Sequence, residues 1–177
     1  MRMFIGIDPD IDLSGVATLS IGDEGRNLRV DKMCFADLCA HFQMLKQAER
    51  SGAQIRIIFE ASWLIQSNWH LTKTKGKADS AKVGYKVGRN HQVGICLCEF
   101  ARGLNLDVVE RKPLQLRSGG FHFWSGKDGK ITQEELNEVL RNAGFDQMRV
   151  RHNQEERDAA LLAIVEAGLP IRCRIKP

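Results

Sequence analysis

Two predicted strands each end in an acidic residue. An apolar run rich in β-forming residues begins at Met3 and stops at Asp8, and Pro9 follows it, which removes the backbone donor that a continuing ladder would need. A second apolar run, residues 55–59, stops at Glu60. Because open α/β sheets usually bind ligands at the carboxyl ends of their strands, both carboxylates are candidates for chemistry. A simple Asp-Pro turn is the alternative for Asp8.

Two further acids stand near the end of the chain. Glu155 and Asp158 are three positions apart in a segment with helical spacing of apolar residues, predicted to begin near Asn153, so both lie on one face of a helix. Carboxylates held together raise one another's pKa, and Mg²⁺ or Mn²⁺ relieves the repulsion because hard cations take oxygen ligands. Two such ions ~3.5–4 Å apart can activate a water and stabilise the leaving oxygen of a phosphodiester. The acids therefore favour a metal-dependent nuclease that needs no small-molecule cofactor.

The elements that must position these acids are predicted in the order βββ-α-β-α-β-α, with an additional helix before the last one. Short turns join the first three strands, which predicts an antiparallel meander. The expected strands cover residues 3–8, 15–21, 28–33, 55–59 and 106–110, and the expected helices cover about 35–50, 84–103, 132–142 and 153–167. Thr132 and Glu135 have the spacing of a capping box. We expect residues 61–82 to be irregular and the glycine-rich residues 118–130 to be mobile.

Composition restricts the class of protein. The 177 residues fit one domain, 1–177, with a substantial core. No apolar run reaches the ~20 residues that a membrane helix needs, and the apolar start is too short for a signal peptide. Five cysteines, an odd number without zinc spacing, are typical of reduced thiols in a cytoplasmic protein.

Positive charge is concentrated in one stretch, although the net charge is only +4. Residues 71–90 carry six basic side chains against Asp79 alone. The basic residues are Lys73, Lys75, Lys77, Lys82, Lys86 and Arg89. Such a cluster either contacts the phosphates of a polyanion or belongs to a solvated loop.

Together, these motifs resemble those of the RuvC-like Holliday junction resolvases of the RNase H-like superfamily. Residues 6–9 (Gly-Ile-Asp-Pro), followed by 14–17 (Ser-Gly-Val-Ala), are similar to the opening motif of that family. Glu60 matches the acid that ends its fourth strand, and Glu155 with Asp158 matches its last pair. The resemblance extends from Met3 to about Glu166, with residues 88–94 matching the helix between the acids.

The resemblance implies a fold and a function. The fold is an α/β RNase H-like fold with a five-stranded mixed sheet, three antiparallel strands then two parallel ones, flanked by helices. The function is metal-dependent cleavage of branched DNA, most of all four-way junctions. Asp8, Glu60, Glu155 and Asp158 would be catalytic and would bind two Mg²⁺ or Mn²⁺ ions.

The resemblance also implies contacts with DNA and with a second copy of the chain. Trp63, three residues after the second acid, matches an aromatic residue that relatives push into the junction. Arg117 and Lys130 are the nearest equivalents of basic residues that contact the cleaved strand. Because a four-way junction is two-fold symmetric, paired cuts favour a homodimer, and the glycine-bearing helix at 84–103 is its candidate interface.

Several residues depart from the family pattern. Asp10 replaces the usual glycine after Asp-Pro, and Asp12 adds a further charge. The first acid of the last pair is usually aspartate or histidine, whereas this chain has Glu155 with His152 one turn earlier, so either residue is a candidate ligand. Together with the long segment 118–130, these departures resemble phage or mobile-element versions.

Two other functions remain open. A YqgF-type nuclease acting on RNA would share the opening motif, but that group lacks the glutamate represented here by Glu60. A non-catalytic RNase H-like module that only binds nucleic acid is the other alternative. A pure binder of polyanions gains nothing from an acidic cluster, so the acids disfavour it.

Overall fold

A computed structural model of the chain describes residues 1–65, 76–114, 117–118, 121–122, 124–145 and 151–171. The strands are β1 (Arg2–Asp8), β2 (Ser14–Gly22), β3 (Gly25–Met33), β4 (Gln54–Glu60), β5 (Asp107–Arg111), β6 (Arg117–Ser118) and β7 (Phe121–His122). The helices are α1 (Phe35–Arg50), α2 (Lys77–Gly103), α3 (Gln133–Asn142) and α4 (Gln154–Glu166). Short 3₁₀ turns cover Ser62–Leu64 and Lys127–Gly129.

The central sheet has five strands in the order β3-β2-β1-β4-β5. β1 pairs antiparallel with β2, and β2 pairs antiparallel with β3. β4 is parallel to both β1 and β5. This mixed sheet of three antiparallel strands and two parallel ones, flanked by helices, is the RNase H-like arrangement, so the predicted fold class is confirmed. Within the described ranges, no helix combines the length and apolarity needed to cross a membrane.

Side-chain alternation along β1 separates two cores, because successive residues of a strand point to opposite faces. Ile5 and Ile7 are fully buried in the core that contains α1 and the C-terminal half of α2. Phe4 belongs to the core on the other face, which contains α3 and α4. Asp8 has the same parity as Phe4, and Glu60 has the same parity as Ile58 of that second core. Asp8 and Glu60, the acids at the ends of β1 and β4, therefore belong to the face that α4 covers.

Two glycines allow the backbone of α4 to lie directly on the sheet. A Cβ added at Gly6 would lie 2.0 Å from the carbonyl oxygen of Ala159, and one at Gly15 would lie 2.2 Å from that of Glu155. No real side chain tolerates such distances. The opening motif thus contains the first acid and also the two positions that bring the start of α4 down beside it.

The starts of the two last helices are confirmed as predicted. Asn153 caps α4, with its side chain accepting the N–H of Glu156 while the Glu156 side chain accepts the N–H of Asn153. Thr132 and Glu135 make the same reciprocal pair at α3. Each box satisfies backbone donors that the first turn of a helix leaves free.

One prediction about an irregular segment was wrong, and a second segment is partly anchored in the core. α2 begins at Lys77 rather than at residue 84, since lysine and alanine in residues 77–82 are good helix formers and no proline interrupts them. Within residues 118–130, expected to be mobile, Trp124 is 2% exposed and packs in the core with Ile131. The glycines there had suggested a loop, whereas the buried indole fixes the part around it.

Candidate active site

Three carboxylates meet at the carboxyl ends of β1 and β4. Asp8, Glu60 and Asp158 each contribute one carboxylate oxygen to a group of three oxygens that all lie within 4.8 Å of one another. The parallel register places Ile7 beside Phe59, so the next residue of each strand is one of the acids. α4 then lays Asp158, 8% exposed, over the same edge. The predicted strand-end acids and one member of the predicted helix pair are thus brought together.

Burial and mutual repulsion make this cluster electrostatically unfavourable when it is fully ionised. Burial raises the pKa of Asp8 well above its ordinary value, and the charges of Glu60 and Asp158 raise it further. Burial and the charge of Asp158 raise the pKa of Glu60 to about 7, against the opposing effect of Lys130. The cluster therefore needs positive charge to hold its negative form at neutral pH.

Lys130 supplies part of that charge. Its Nζ lies 2.6 Å from Oδ2 of Asp158. Burial by itself would lower the pKa of Lys130, but the carboxylates of Asp158, Glu60 and Asp8 together hold this pKa above its ordinary value. The lysine predicted to contact the cleaved strand thus lies among the acids and is an ammonium in this state.

A second group of hydrogen bonds, which sequence reasoning missed, orients Asp158. Gln154 Nε2 donates to Asp158 Oδ1 at 2.7 Å. Arg157 donates to Gln154 Oε1 at 2.7 Å, to the carbonyl oxygen of Ile131 at 3.0 Å and to that of His152. The four-residue spacing of Gln154 and Asp158 on a helix was the available signal. Arg157 joins the segment that carries Lys130 to the helix that carries Asp158.

Glu155 and His152 lie outside the three-carboxylate group. Glu155 is in the first turn of α4, and its charge is the weakest of the influences that raise the pKa of Asp8. Nδ1 of His152 lies 3.3 Å from Oε1 of Glu156, and its backbone N–H donates to Gln133 Oε1 at 2.8 Å. The His152 ring therefore contacts Glu156, and the Glu155 carboxylate lies near the cluster but outside it.

Trp63 is partly buried and packs against the core that contains α1 and the C-terminal half of α2. Its Nε1 donates to Glu110 Oε2 at 2.7 Å, and its ring centroid lies 6.4 Å from that of His91 in an edge-on arrangement. A Cβ added at Gly94 would lie 2.3 Å from the indole, so this glycine makes room for the ring.

Asp10, a departure from the family pattern, organises the turn after β1. Its Oδ1 accepts the N–H of Asp12 at 2.9 Å, and its Oδ2 accepts Nδ2 of Asn90 at 2.9 Å. Asn90 Oδ1 in turn accepts the N–H of Ile11 at 3.2 Å. This turn is thereby attached to α2, which is a structural reason for an aspartate there.

The other residues predicted to contact DNA fall into three groups: exposed residues on α2, residues located by their helix or strand, and residues outside the described ranges. Lys82, Lys86 and Arg89 are exposed on α2, and the Arg89 guanidinium carbon lies 5.4 Å from the ring centroid of Tyr85. Lys77 begins α2 and Arg117 lies in β6. Lys73 and Lys75 fall outside the described residues. The described cysteines at positions 34, 39, 96 and 98 are free thiols, and of these only Cys98 is buried.

No protein-family model and no curated protein sequence matches the chain. Among solved structures, RuvC of Thermus thermophilus bound to a Holliday junction substrate is 14% identical, with 94% of this chain and 93% of that chain covered and a TM-score of 0.48. A second Thermus thermophilus RuvC structure is 18% identical, with 94% and 97% covered and a TM-score of 0.49. YeaZ from Pseudomonas aeruginosa is 12% identical, with 65% and 45% covered and a TM-score of 0.30. The strand order and strand directions of the chain itself define its fold class as RNase H-like.

Proposed function

We propose that the chain is a metal-dependent endonuclease that cleaves phosphodiesters in branched DNA, four-way junctions above all. The observation that carries this proposal is the cluster of Asp8, Glu60 and Asp158, with ligand oxygens within 4.8 Å of one another. A binding module for polyanions would be weakened by three carboxylates at the end of its central strands. Hydrolysis of a phosphodiester with a divalent cation, in contrast, requires them.

The residues present fit Mg²⁺ or Mn²⁺. All three donors are carboxylate oxygens, the ligands that these hard cations prefer. The raised pKa values of Asp8 and Glu60 mean that ionisation costs free energy that a cation would offset. When bound, the ions supply activation of a water molecule and stabilisation of the leaving oxygen. We assign Glu155 as the fourth acid of a two-ion site in preference to His152, whose ring already faces Glu156.

The chain's own residues hold the site in shape and attract the substrate. Gln154 and Lys130 fix the two oxygens of Asp158. The exposed basic residues Lys82, Lys86 and Arg89 on α2 form a surface that attracts the phosphates of DNA. Trp63, which has an indole held by Glu110 and Gly94, is assigned to packing beside the site rather than to insertion into the junction.

The preference for four-way junctions rests on the family resemblance of the motifs. A two-fold symmetric substrate with two cuts requires two active sites, which a homodimer provides. We therefore include dimerisation through the exposed part of α2 in the proposal, together with a cytoplasmic location. Light scattering of the purified protein would show whether it is a dimer in solution.

Asp8→Asn tests the proposal, with Asp12→Asn as the matched control. Asp12 is exposed in the same turn and lies outside the cluster. On a synthetic four-way junction with Mg²⁺, we expect Asp8→Asn to lose cleavage by at least about a hundredfold while retaining binding in a gel-shift assay. Asp12→Asn should cut as the parent does. Parental cleavage by Asp8→Asn, or binding of the junction without cleavage by the parent protein, would overturn the assignment.

A further inference from the structure

Both oxygens of Asp158 are occupied by side chains of the chain itself. Gln154 Nε2 lies 2.7 Å from Oδ1, and Lys130 Nζ lies 2.6 Å from Oδ2. The amide is a neutral partner, whereas the ammonium brings a full positive charge into a group of three acids. Its position therefore coincides with the region where a divalent cation would bind.

We propose that Lys130 is a built-in counter-cation, which neutralises the acid cluster in the metal-free protein and competes with the divalent cation for Asp158. The inference rests on the proposed function, because it concerns the metal site assigned there. It adds a residue that sets the affinity of that site. Lys130 thus weakens metal binding in exchange for a stable metal-free state.

The geometry does not accommodate both cations on one oxygen. Mg²⁺ binds a carboxylate oxygen at ~2.1 Å, and the Lys130 ammonium is 2.6 Å from Asp158 Oδ2. The two positive centres would then lie less than about 5 Å apart in a partly buried site, where they repel each other. Binding of the metal ion through Oδ2 therefore requires the ammonium to move away.

The surroundings of Lys130 allow its side chain to move while its backbone stays in place. A Cβ at Gly126 would lie 2.2 Å from the carbonyl oxygen of Lys130, and Gly129 has a φ of 76°, so a tight turn fixes where the lysine begins. Arg157 holds the next carbonyl, that of Ile131, at 3.0 Å. The Lys130 side chain is 41% exposed, against 9% for Asp158. The ammonium can therefore turn into solvent while Asp158 remains in the site.

Calorimetric titration with Mn²⁺, without DNA, measures this competition. At pH 8.5 we expect Lys130→Met to bind Mn²⁺ at least about tenfold more tightly than the parent, since one charge-assisted hydrogen bond no longer has to be broken. Lys130→Arg keeps the charge and should bind like the parent. Lys127→Met, the same substitution at an exposed lysine of the same turn, is the matched control and should also bind like the parent.

Thermal unfolding of the same proteins supplies a second measurement. In EDTA, Lys130→Met should unfold at a lower temperature than the parent, and saturating Mn²⁺ should close that gap. If Lys130→Met fails to fold, Lys130→Gln replaces it in both measurements. Equal or weaker Mn²⁺ binding by the neutral variants, with normal binding by the parent, would overturn the inference and leave the metal site standing. Absence of Mn²⁺ binding by every protein would overturn the proposed function as well.

Discussion

The helices α2 and α4, which lie on opposite faces of the sheet, are packed in different ways. In α4, residues 158–164 are all buried, and its backbone contacts the sheet at Gly6 and Gly15. In α2, none of residues 78–93 is buried, and only its C-terminal half enters the core. The helix that holds a carboxylate of the site is thus fixed by backbone contact, whereas the exposed basic residues Lys82, Lys86 and Arg89 lie on a helix stretch in which no residue is buried.

This difference corresponds to two kinds of interaction. A metal ligand must be placed to within a fraction of an ångström, which only close packing achieves. Attraction of a polyanion depends on the summed field of several charges and tolerates imprecise placement. We therefore expect substitutions on the α4 side to change stability strongly, and those on the first half of α2 to change binding of DNA with little effect on stability.

Glycine-to-alanine substitution provides the sharpest comparison of the two helices. Gly15→Ala would drive a methyl group against the backbone of α4, where the added Cβ would be 2.2 Å from an oxygen. We expect a loss of about 3 kcal/mol in the free energy of unfolding. Gly88→Ala meets nothing within 4 Å and should gain about 0.5–1 kcal/mol from helix propensity. Urea denaturation measures both, and parental stability of Gly15→Ala would refute the close packing of α4.

The pH dependence of stability should distinguish the same two regions. Because the pKa of Glu60 in the folded protein is about 7, against an ordinary 4.5, the folded state holds a proton that the unfolded state has already lost. This contribution is fully present below about pH 4.5 and disappears as the pH rises through about 7. In EDTA, stability should fall over that range by up to about 3 kcal/mol.

Glu60→Gln should remove the part of this fall that Glu60 contributes, since an amide does not titrate, while Asp8, whose pKa burial also raises, keeps its own part. Asp79→Asn, at an exposed acid of α2, is the control and should keep the parental pH profile. Urea denaturation at intervals between pH 4.5 and 8.5 supplies the measurement. A parental profile for Glu60→Gln would show that the cluster does not repel itself in the folded protein.

The parts that sequence predicted are those governed by local rules. The apolar runs rich in β-forming residues, each followed by an acid, located Asp8 and Glu60 at the ends of strands. The capping-box spacing of Thr132 and Glu135 located the start of α3. These features depend on residues close together in the chain, so the sequence displays them directly.

The parts that sequence did not predict depend on contacts between distant residues. The position of Lys130 follows from the turn at Gly126 and from Arg157, and the indole of Trp63, in a 3₁₀ turn, donates to Glu110 of β5. Whether Glu155 or Asp158 reaches the cluster depends on how far α4 slides along the sheet, which Gly6 and Gly15 decide. None of these has a periodic signal.

The smallest effect on stability is expected on the exposed half of α2. Lys82 and Lys86 are both exposed, and their joint replacement by glutamine should change the free energy of unfolding by no more than about 0.5 kcal/mol. If both contact phosphates, the slope of log affinity for DNA against log salt should become shallower by up to about 1.8, since each contact with duplex DNA contributes about 0.9.

Replacing Arg2 and Arg50 by glutamine is the matched control for charge. Both are exposed, and Arg2 lies at the start of β1, at the opposite end of that strand from Asp8. This double variant lowers the net charge equally, so a general effect of charge would shift the slope of both proteins alike. Only a local phosphate contact shifts the α2 variant alone. Fluorescence anisotropy with a labelled four-way junction between about 50 and 200 mM salt would separate the two cases, and equal slopes would make the first half of α2 a solvated helix.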